Sequence, residues 1–200
     1  MILGALNDYY EQLASEPDSG IAPRGYSYEK ISFALVIDRK SNLVDLMDLR
    51  DTSGKSPRPT RMLVPQSETR TSAVKAFFLW DKSSYVLGVS NVDEVNEAKY
   101  EKRIRRIKEE HDAFKARHED RLALTSDPGL QALLQFLRNW KPEEFQESNI
   151  LNNEILDTNL VFRLDGEKNF IHERSAAESL ILENIENTKA SEGTCLVTGN

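Results

Sequence analysis

The chain has 200 residues and a net charge of −7, with 39% hydrophobic and 30% charged residues, which suits one domain or one and a half. No apolar run approaches the roughly 20 residues that span a bilayer, and the first residues lack the charged leader of a signal peptide. The single cysteine, Cys195, excludes an internal disulfide, so these features predict a soluble, cytoplasmic chain from a reducing compartment.

The first part of the chain predicts a helix followed by a β-hairpin. Apolar residues recur at helical spacing from Ile2 to Leu13, and Pro17 with Gly20 ends this pattern. The segment KISFALVID alternates and predicts one strand with a shared apolar face formed by Ile31, Phe33, Leu35 and Ile37. The segment LVDLMDL predicts its antiparallel partner across a turn at Arg39 to Asn42.

The next segment predicts an exposed loop, a short strand and a short helix. RDTSGKSPRPTR is a loop because Pro57 and Pro59 remove backbone donors and no apolar side chain is available for burial. MLVPQ predicts an edge strand ending at Pro65. TSAVKAFFLW predicts a short helix capped by Thr71 or Ser72, and SSYVLGV predicts a further strand.

A long amphipathic helix is predicted from Asn96 to Leu124, where a narrow apolar stripe repeats every three or four residues between dense charges. Asp127 and Pro128 have the residue types of a helix N-cap and first helical position, so LQALLQFLRNW predicts a second helix. Beyond Pro142 the pattern predicts a short acidic turn, the strand TNLVFRLDG, the helix IHERSAAESLILENIEN and the strand GTCLVTGN.

These elements predict an α+β fold: a small, mostly antiparallel sheet with an N-terminal helix and a helical insertion made of the long helix and the second helix. We expect an N-terminal α+β part with a basic loop at 1–95, the helical insertion at 96–148 and a strand-helix-strand part at 149–200. A strand that reaches the last residues without a following partner suggests the front part of a longer protein.

Residues with catalytic or metal-binding chemistry do not form a recognisable constellation. His111 and His118 are seven residues apart with no third ligand nearby, so interface or solvated histidines are expected, and His172 has no HExxH partner. Cys195 lies in an apolar strand pattern, which favours a buried small side chain over a nucleophile. The acids from Glu109 to Asp120 alternate with basic residues, as on a solvated helix face.

The charge is unevenly distributed. Between Arg50 and Lys82 seven basic side chains meet three acidic ones, a local net charge of +4 in an acidic chain. Such a loop suits a phosphate backbone or a solvated surface equally well on composition alone. A second basic run lies between Lys99 and Lys108, and a charged helix covering a core is the more economical interpretation there.

An ordered set of motifs resembles one known family. The set comprises MILGALNDYYEQLA, EKISFALVID, DTSGKSPRP, LVPQ, RTS, FLWD, YVLGV, DPGLQALLQFLRNW and GTCLVTG, in this order along nearly the whole chain. Together they resemble the large subunit of the subtype I-C CRISPR surveillance complex (Cascade). The family usually continues beyond CLVTG, and it usually has Gly, a Pro-Asn pair and Asn where this chain has Ala73, Ala76-Phe77 and Lys82.

The resemblance implies an RNA-guided antiviral role without catalysis, cofactor or metal: recognition of the protospacer-adjacent motif on double-stranded DNA and help in opening the duplex for an R-loop. It implies CRISPR RNA, target DNA, the backbone and handle-binding Cascade subunits and a helicase-nuclease recruited later as partners. The residues expected to contact DNA or RNA are Lys55, Arg58, Arg61, Arg70, Thr71, Ser72, Lys75 and Lys82.

Two alternatives stay open. The chain could be a protein-interaction scaffold that docks on neighbouring Cascade subunits through the long helix without reading the motif. It could also be a nuclease that uses the acids between Glu109 and Asp120, although we expect no enzyme.

Overall fold

The computed structural model describes residues 2–16, 19–70, 73–92 and 97–188. Helices and short strands combine in an α+β arrangement, which confirms the predicted fold class. The elements in chain order are α1 (Ile2–Ser15), β1 (Tyr26–Ile31), β2 (Phe33–Ile37), β3 (Leu43–Asp48), β4 (Thr60–Pro65), β5 (Asp81–Lys82), α2 (Ser83–Val86), α3 (Glu97–Leu122), α4 (Pro128–Asn139), α5 (Glu144–Glu147), β6 (Asn159–Leu164) and α6 (Ser175–Thr188).

The strands form two sheets. The larger has the order β3-β2-β6-β5, in which only the β2–β6 pairing is parallel among the described strands. The smaller is an antiparallel ribbon of β1 and β4. The predicted hairpin of β2 and β3 and the predicted short strand before Gln66 are therefore confirmed.

The prediction of one continuous strand across KISFALVID was wrong, because the chain changes sheets at Ser32. The N–H of Ser32 donates to the carbonyl oxygen of Asn159 at 3.0 Å, and its own carbonyl accepts from Leu49 at 2.9 Å. Both backbone hydrogen-bonding groups of Ser32 therefore have partners, one on Asn159 and one on Leu49, although Ser32 belongs to neither strand. As a result, Ile31 packs in a different apolar cluster from Phe33.

Both faces of the larger sheet are covered, which explains why every side chain of β2 is buried. On one face, alternate residues of β2 and β6 pack against α2, α3 and α4 in the main core. On the other face, a smaller cluster lies under the β1–β4 ribbon and consists of Ile31, Ala34, Val64, Trp80 and Val161. The indole N–H of Trp80 donates to the carbonyl oxygen of Pro65 at 2.8 Å, which links this cluster to the end of β4.

The structure corrects two further predictions in the segment that follows β4. Residues 73–80 are not helical, and Leu79 has a φ of 65°, which a continuing helix does not allow. Its N–H donates to Nε2 of His118 at 3.0 Å. SSYVLGV is not a strand, since Ser83–Val86 forms the one-turn helix α2 with all four side chains buried, so packing overrides its β-propensity.

The long and second helices are confirmed. α3 lies across the core with Ile107, Phe114 and Leu122 buried. The carboxylate of Asp127 caps α4 by accepting from the N–H groups of Gly129 and Leu130, both at 2.9 Å. The three-part division of the chain stays a prediction, and the predicted strand GTCLVTGN, with Cys195, lies outside the described residues.

None of the helices in the described ranges is long and apolar enough to cross a membrane.

Candidate nucleic-acid interface

The basic loop after β3 is closed by backbone hydrogen bonds. Asp51 and Arg58 exchange a pair of these bonds at 2.8 and 3.0 Å, which brings the two ends of the segment 52–57 together. The carboxylate of Asp51 also accepts a hydrogen bond from the N–H of Ser53 at 2.8 Å, and this bond lowers the pKa of Asp51. Lys55 and Arg58 are consequently exposed on a short loop that is anchored at its base.

Arg61, on β4, is the next exposed cation after Arg58. Its guanidinium lies 4.0 Å from the centre of the Tyr28 ring, and it donates to the carbonyl oxygen of Gly20 at 3.2 Å. These contacts hold an exposed cation against β1 without neutralising it. The strand pairing places Lys30, also exposed, directly opposite Arg61.

Lys82 is joined to this surface through Asn159. The two residues are paired across β5 and β6, and the side-chain amide of Asn159 donates to the carbonyl oxygen of Lys30 at 2.9 Å. The structure therefore brings Arg61 and Lys82, which are distant in sequence, to adjoining parts of one surface. Lys82 is exposed, whereas Asp81 beside it is fully buried.

Arg70 has a different environment from the other expected site residues. Its guanidinium pairs with the carboxylate of Asp81, donates to the carbonyl oxygen of Lys75 at 2.6 Å and lies 3.7 and 4.0 Å from the ring centres of Phe77 and Tyr85. Burial raises the pKa of the Asp81 carboxyl, and the Arg70 cation opposes this rise. Arg70 thus has its charge neutralised by Asp81 and serves a structural role.

Lys75 is exposed, but its ammonium lies 3.7 Å from the carboxylate of Glu68. Arg117 reaches the same carboxylate at 2.8 Å and helps to keep its pKa low. Thr71 and Ser72 lie outside the described residues, and the helix that would have offered its N-terminus to an anion at this place is absent from residues 73–80.

Ion pairing divides the expected cations into two groups. Arg70 and Lys75 each have an acidic partner. Within the described part of the chain, four others have none: Lys55, Arg58, Arg61 and Lys82. Unpaired cations leave a positive surface potential that a phosphate backbone can use.

Sequence reasoning missed Lys30, Tyr28 and Asn159. The partner of the strand MLVPQ was not assigned, so nothing indicated that Lys30 would stand opposite Arg61. The alternation of Tyr26, Tyr28 and Lys30, which leads into ISFALVID, was the available signal, since it marks a strand face that carries aromatic rings and a cation.

The expectation of interface or solvated histidines was wrong. His118 is fully buried: Nδ1 donates to the carbonyl oxygen of Phe114 at 2.8 Å, and burial lowers its pKa to about 3. Nε2 of His172 donates to the carbonyl oxygen of Leu63 at 3.1 Å, and burial lowers the pKa of His172 to about 4. His111 is buried as well and donates from Nδ1 to Tyr85 at 2.9 Å. These rings are structural hydrogen-bonding groups of the core.

Glu109, Glu110 and Glu119 of α3 are engaged in ion pairs. Glu110, which is 7% exposed, is contacted by Arg103 at 3.4 Å and Arg106 at 3.2 Å, and Glu119 by Arg138 at 2.5 Å. Among the residues that the structure describes, no three His, Cys, Asp or Glu side chains are grouped as a metal site would need.

The family model described as CRISPR-associated protein (Cas_Csd1) matches residues 6–200, so the chain belongs to this family, the type I-C large-subunit family of Cascade. A search of curated proteins finds no match to this chain.

Proposed function

We propose that this chain forms the non-catalytic, DNA-binding part of a Cascade large subunit, which recognises the protospacer-adjacent motif in the cytoplasm and aids opening of the duplex. CRISPR RNA pairing then reads the remaining sequence, while the protein reads the short motif and the duplex shape. Neighbouring Cascade subunits, CRISPR RNA and target DNA are the partners, and a separate helicase-nuclease performs the cutting.

One observation carries the proposal: Lys55, Arg58 and Arg61 follow one another along a loop and strand, exposed and without an acidic partner in the described residues. Most of the arginines elsewhere in the fold that the structure describes are neutralised by acids. An acidic protein that keeps this basic edge unpaired has a local site for phosphate despite its net charge of −7.

The test uses a reconstituted Cascade complex that carries Arg58→Ala and Arg61→Ala together. We expect weaker binding to every target duplex and a salt dependence of log K that is shallower by about two units, because about one phosphate contact is lost for each arginine. Arg39→Ala with Lys40→Ala is the matched control, since both residues are exposed on the turn between β2 and β3. Equal binding by the Arg58/Arg61 variant and the wild type would exclude the proposed surface.

A second candidate function, docking on neighbouring subunits, is favoured by a specific feature of α3. Tyr100 and Ile104 lie one turn apart and are 36% and 43% exposed, and Lys102 and Arg105 beside them are exposed. Exposed apolar residues rimmed by charge are typical of interaction surfaces. On this alternative, Tyr100→Ser with Ile104→Ser would lower recovery of the other subunits with the chain, whereas Arg58→Ala with Arg61→Ala would leave DNA binding intact.

A further inference from the structure

Lys30 and Arg61 present an electrostatic conflict on the outer face of the β1–β4 ribbon. They are direct cross-strand partners, and residues directly opposite each other in an antiparallel pair project from the same face. Like charges in this arrangement repel and lower stability. Neither has an acidic partner in the residues described, and the contacts of Arg61, to Tyr28 and Gly20, carry no negative charge.

An unfavourable charge pair of this kind is typical of a functional site, because residues elsewhere in a fold mostly satisfy local energetic preferences. The charged groups that would resolve it are anions placed over both cations. The loop that carries Lys55 and Arg58 leads directly into β4, so its cations and those of the ribbon are available to one extended anion.

Asn159 occupies the position between Lys30 and another unpaired cation, Lys82. Its backbone carbonyl accepts from Ser32 at 3.0 Å, and its side-chain amide donates to the carbonyl oxygen of Lys30 at 2.9 Å, so both ends of the residue are fixed. Oδ1 has no partner among the described residues, and the amide keeps a second N–H. A partly exposed carboxamide of this kind offers one acceptor and one donor side by side.

We infer that Lys30 and Lys82 hold phosphates of the motif duplex on either side of Asn159, and that the Asn159 carboxamide contacts a base edge between them. The lysines fix the register of the DNA and carry no sequence information themselves. Asn159 reads sequence, because an asparagine side chain pairs with the N6 and N7 groups of adenine in the major groove. This inference rests on the proposed function and assigns phosphate contacts to the two lysines and base recognition to Asn159.

The experiment compares three single variants in the reconstituted complex on duplexes that differ only at the base pairs beside the target. Lys30→Gln is expected to weaken binding to all duplexes equally and to reduce the salt slope by about one unit. Asn159→Ala is expected to keep the salt slope and to lose about fivefold or more of the preference for an A·T pair at one position. Lys40→Gln is the control and leaves both quantities unchanged.

A fourth variant, Asn159→Asp, keeps the size and an acceptor but removes the donor. It is expected to lose the same preference. Because Asn159→Asp also removes the hydrogen bond to the carbonyl oxygen of Lys30, denaturation of the two Asn159 variants measures any loosening of β6 apart from the loss of base preference. If Lys30→Gln keeps the full salt slope, or both Asn159 variants keep the base preference, the inference is wrong. The proposed function still stands in that case when Arg58→Ala with Arg61→Ala weakens binding, and it fails separately when that double variant binds normally.

Discussion

Arg70 donates a hydrogen bond to the carboxylate of Asp81, which is fully buried. The same carboxylate accepts from the N–H groups of Phe77 and Lys82, both at 2.8 Å. The Asp81 carboxylate therefore ties Arg70 to Phe77 and to the start of β5. Lys82 directly follows Asp81, so the same carboxylate also fixes the position of Lys82 at the exposed end of β5.

Arg70→Ala is expected to lower the free energy of unfolding by about 3 kcal/mol or more, because it leaves the Asp81 carboxylate buried without its cation. Chemical denaturation of the chain measures this loss. Lys75→Ala is the control, since its exposed pair with Glu68 is worth less than about 1 kcal/mol. Equal, small losses in both variants would contradict the structural role of Arg70.

Stability is expected to fall as the pH drops below neutrality, with His118 as a main cause. Its pKa in the folded chain is about 3 against a usual 6.5, so the unfolded chain takes up a proton first and stability is lost between pH 6.5 and 3. The loss approaches about 1.4 kcal/mol per pH unit for each such histidine.

Denaturation at pH 7 and pH 5 checks this dependence. His118→Gln removes the titrating group and is expected to make the difference between the two pH values smaller, although the variant is less stable at pH 7. His172, with a folded pKa of about 4, contributes in the same direction. An unchanged pH dependence in His118→Gln would contradict the assignment.

Gly88→Ala is expected to destabilise the chain by more than about 2 kcal/mol. Gly88 has a φ of 70°, and an added Cβ would lie 2.7 Å from Cγ of Pro142 and 3.2 Å from Cγ of His111. Gly54→Ala is the matched control, because its added Cβ meets only the carbonyl oxygen of Ser56 at 3.8 Å. Thermal unfolding of the two variants should differ clearly, and similar midpoints would contradict the close packing at Gly88.

Lys30→Gln is expected to change stability and DNA binding in opposite directions. Removal of one cation from the pair with Arg61 relieves repulsion, which is worth about 0.2–1 kcal/mol at low salt and less at high salt. Denaturation of the chain at two salt concentrations measures this gain. A variant that is less stable than the wild type at low salt would show that the two cations do not repel.

The sequence predicted the elements whose pattern is local and strong. α3 and α4 follow from a long helical period and from Asp127 and Pro128 at the helix start. The hairpin of β2 and β3 follows from two alternating segments around a short turn. The break at Ser32 and the helical turn at Ser83–Val86 could not be predicted, since both depend on hydrogen bonds with the distant residues 157–159.

The candidate surface was predictable only in part for the same reason. The sequence located the positive charge between Arg50 and Lys82, but a charge count cannot tell which cations have acidic partners. Arg70 and Lys82 belong to one basic stretch, and only the fold turns the first toward Asp81 and the second toward solvent. Lys30 enters the surface through strand pairing across 31 residues of sequence.

Motif reading is measured most directly by titrating the reconstituted Cascade complex with duplexes that differ only in the three base pairs beside the target. We predict that the affinities spread over at least about tenfold, since one good contact to a base edge is worth about 1–3 kcal/mol. We also predict that Arg58→Ala with Arg61→Ala weakens all of these duplexes together and preserves their order. The same affinity for every flanking triplet would contradict motif recognition by this complex.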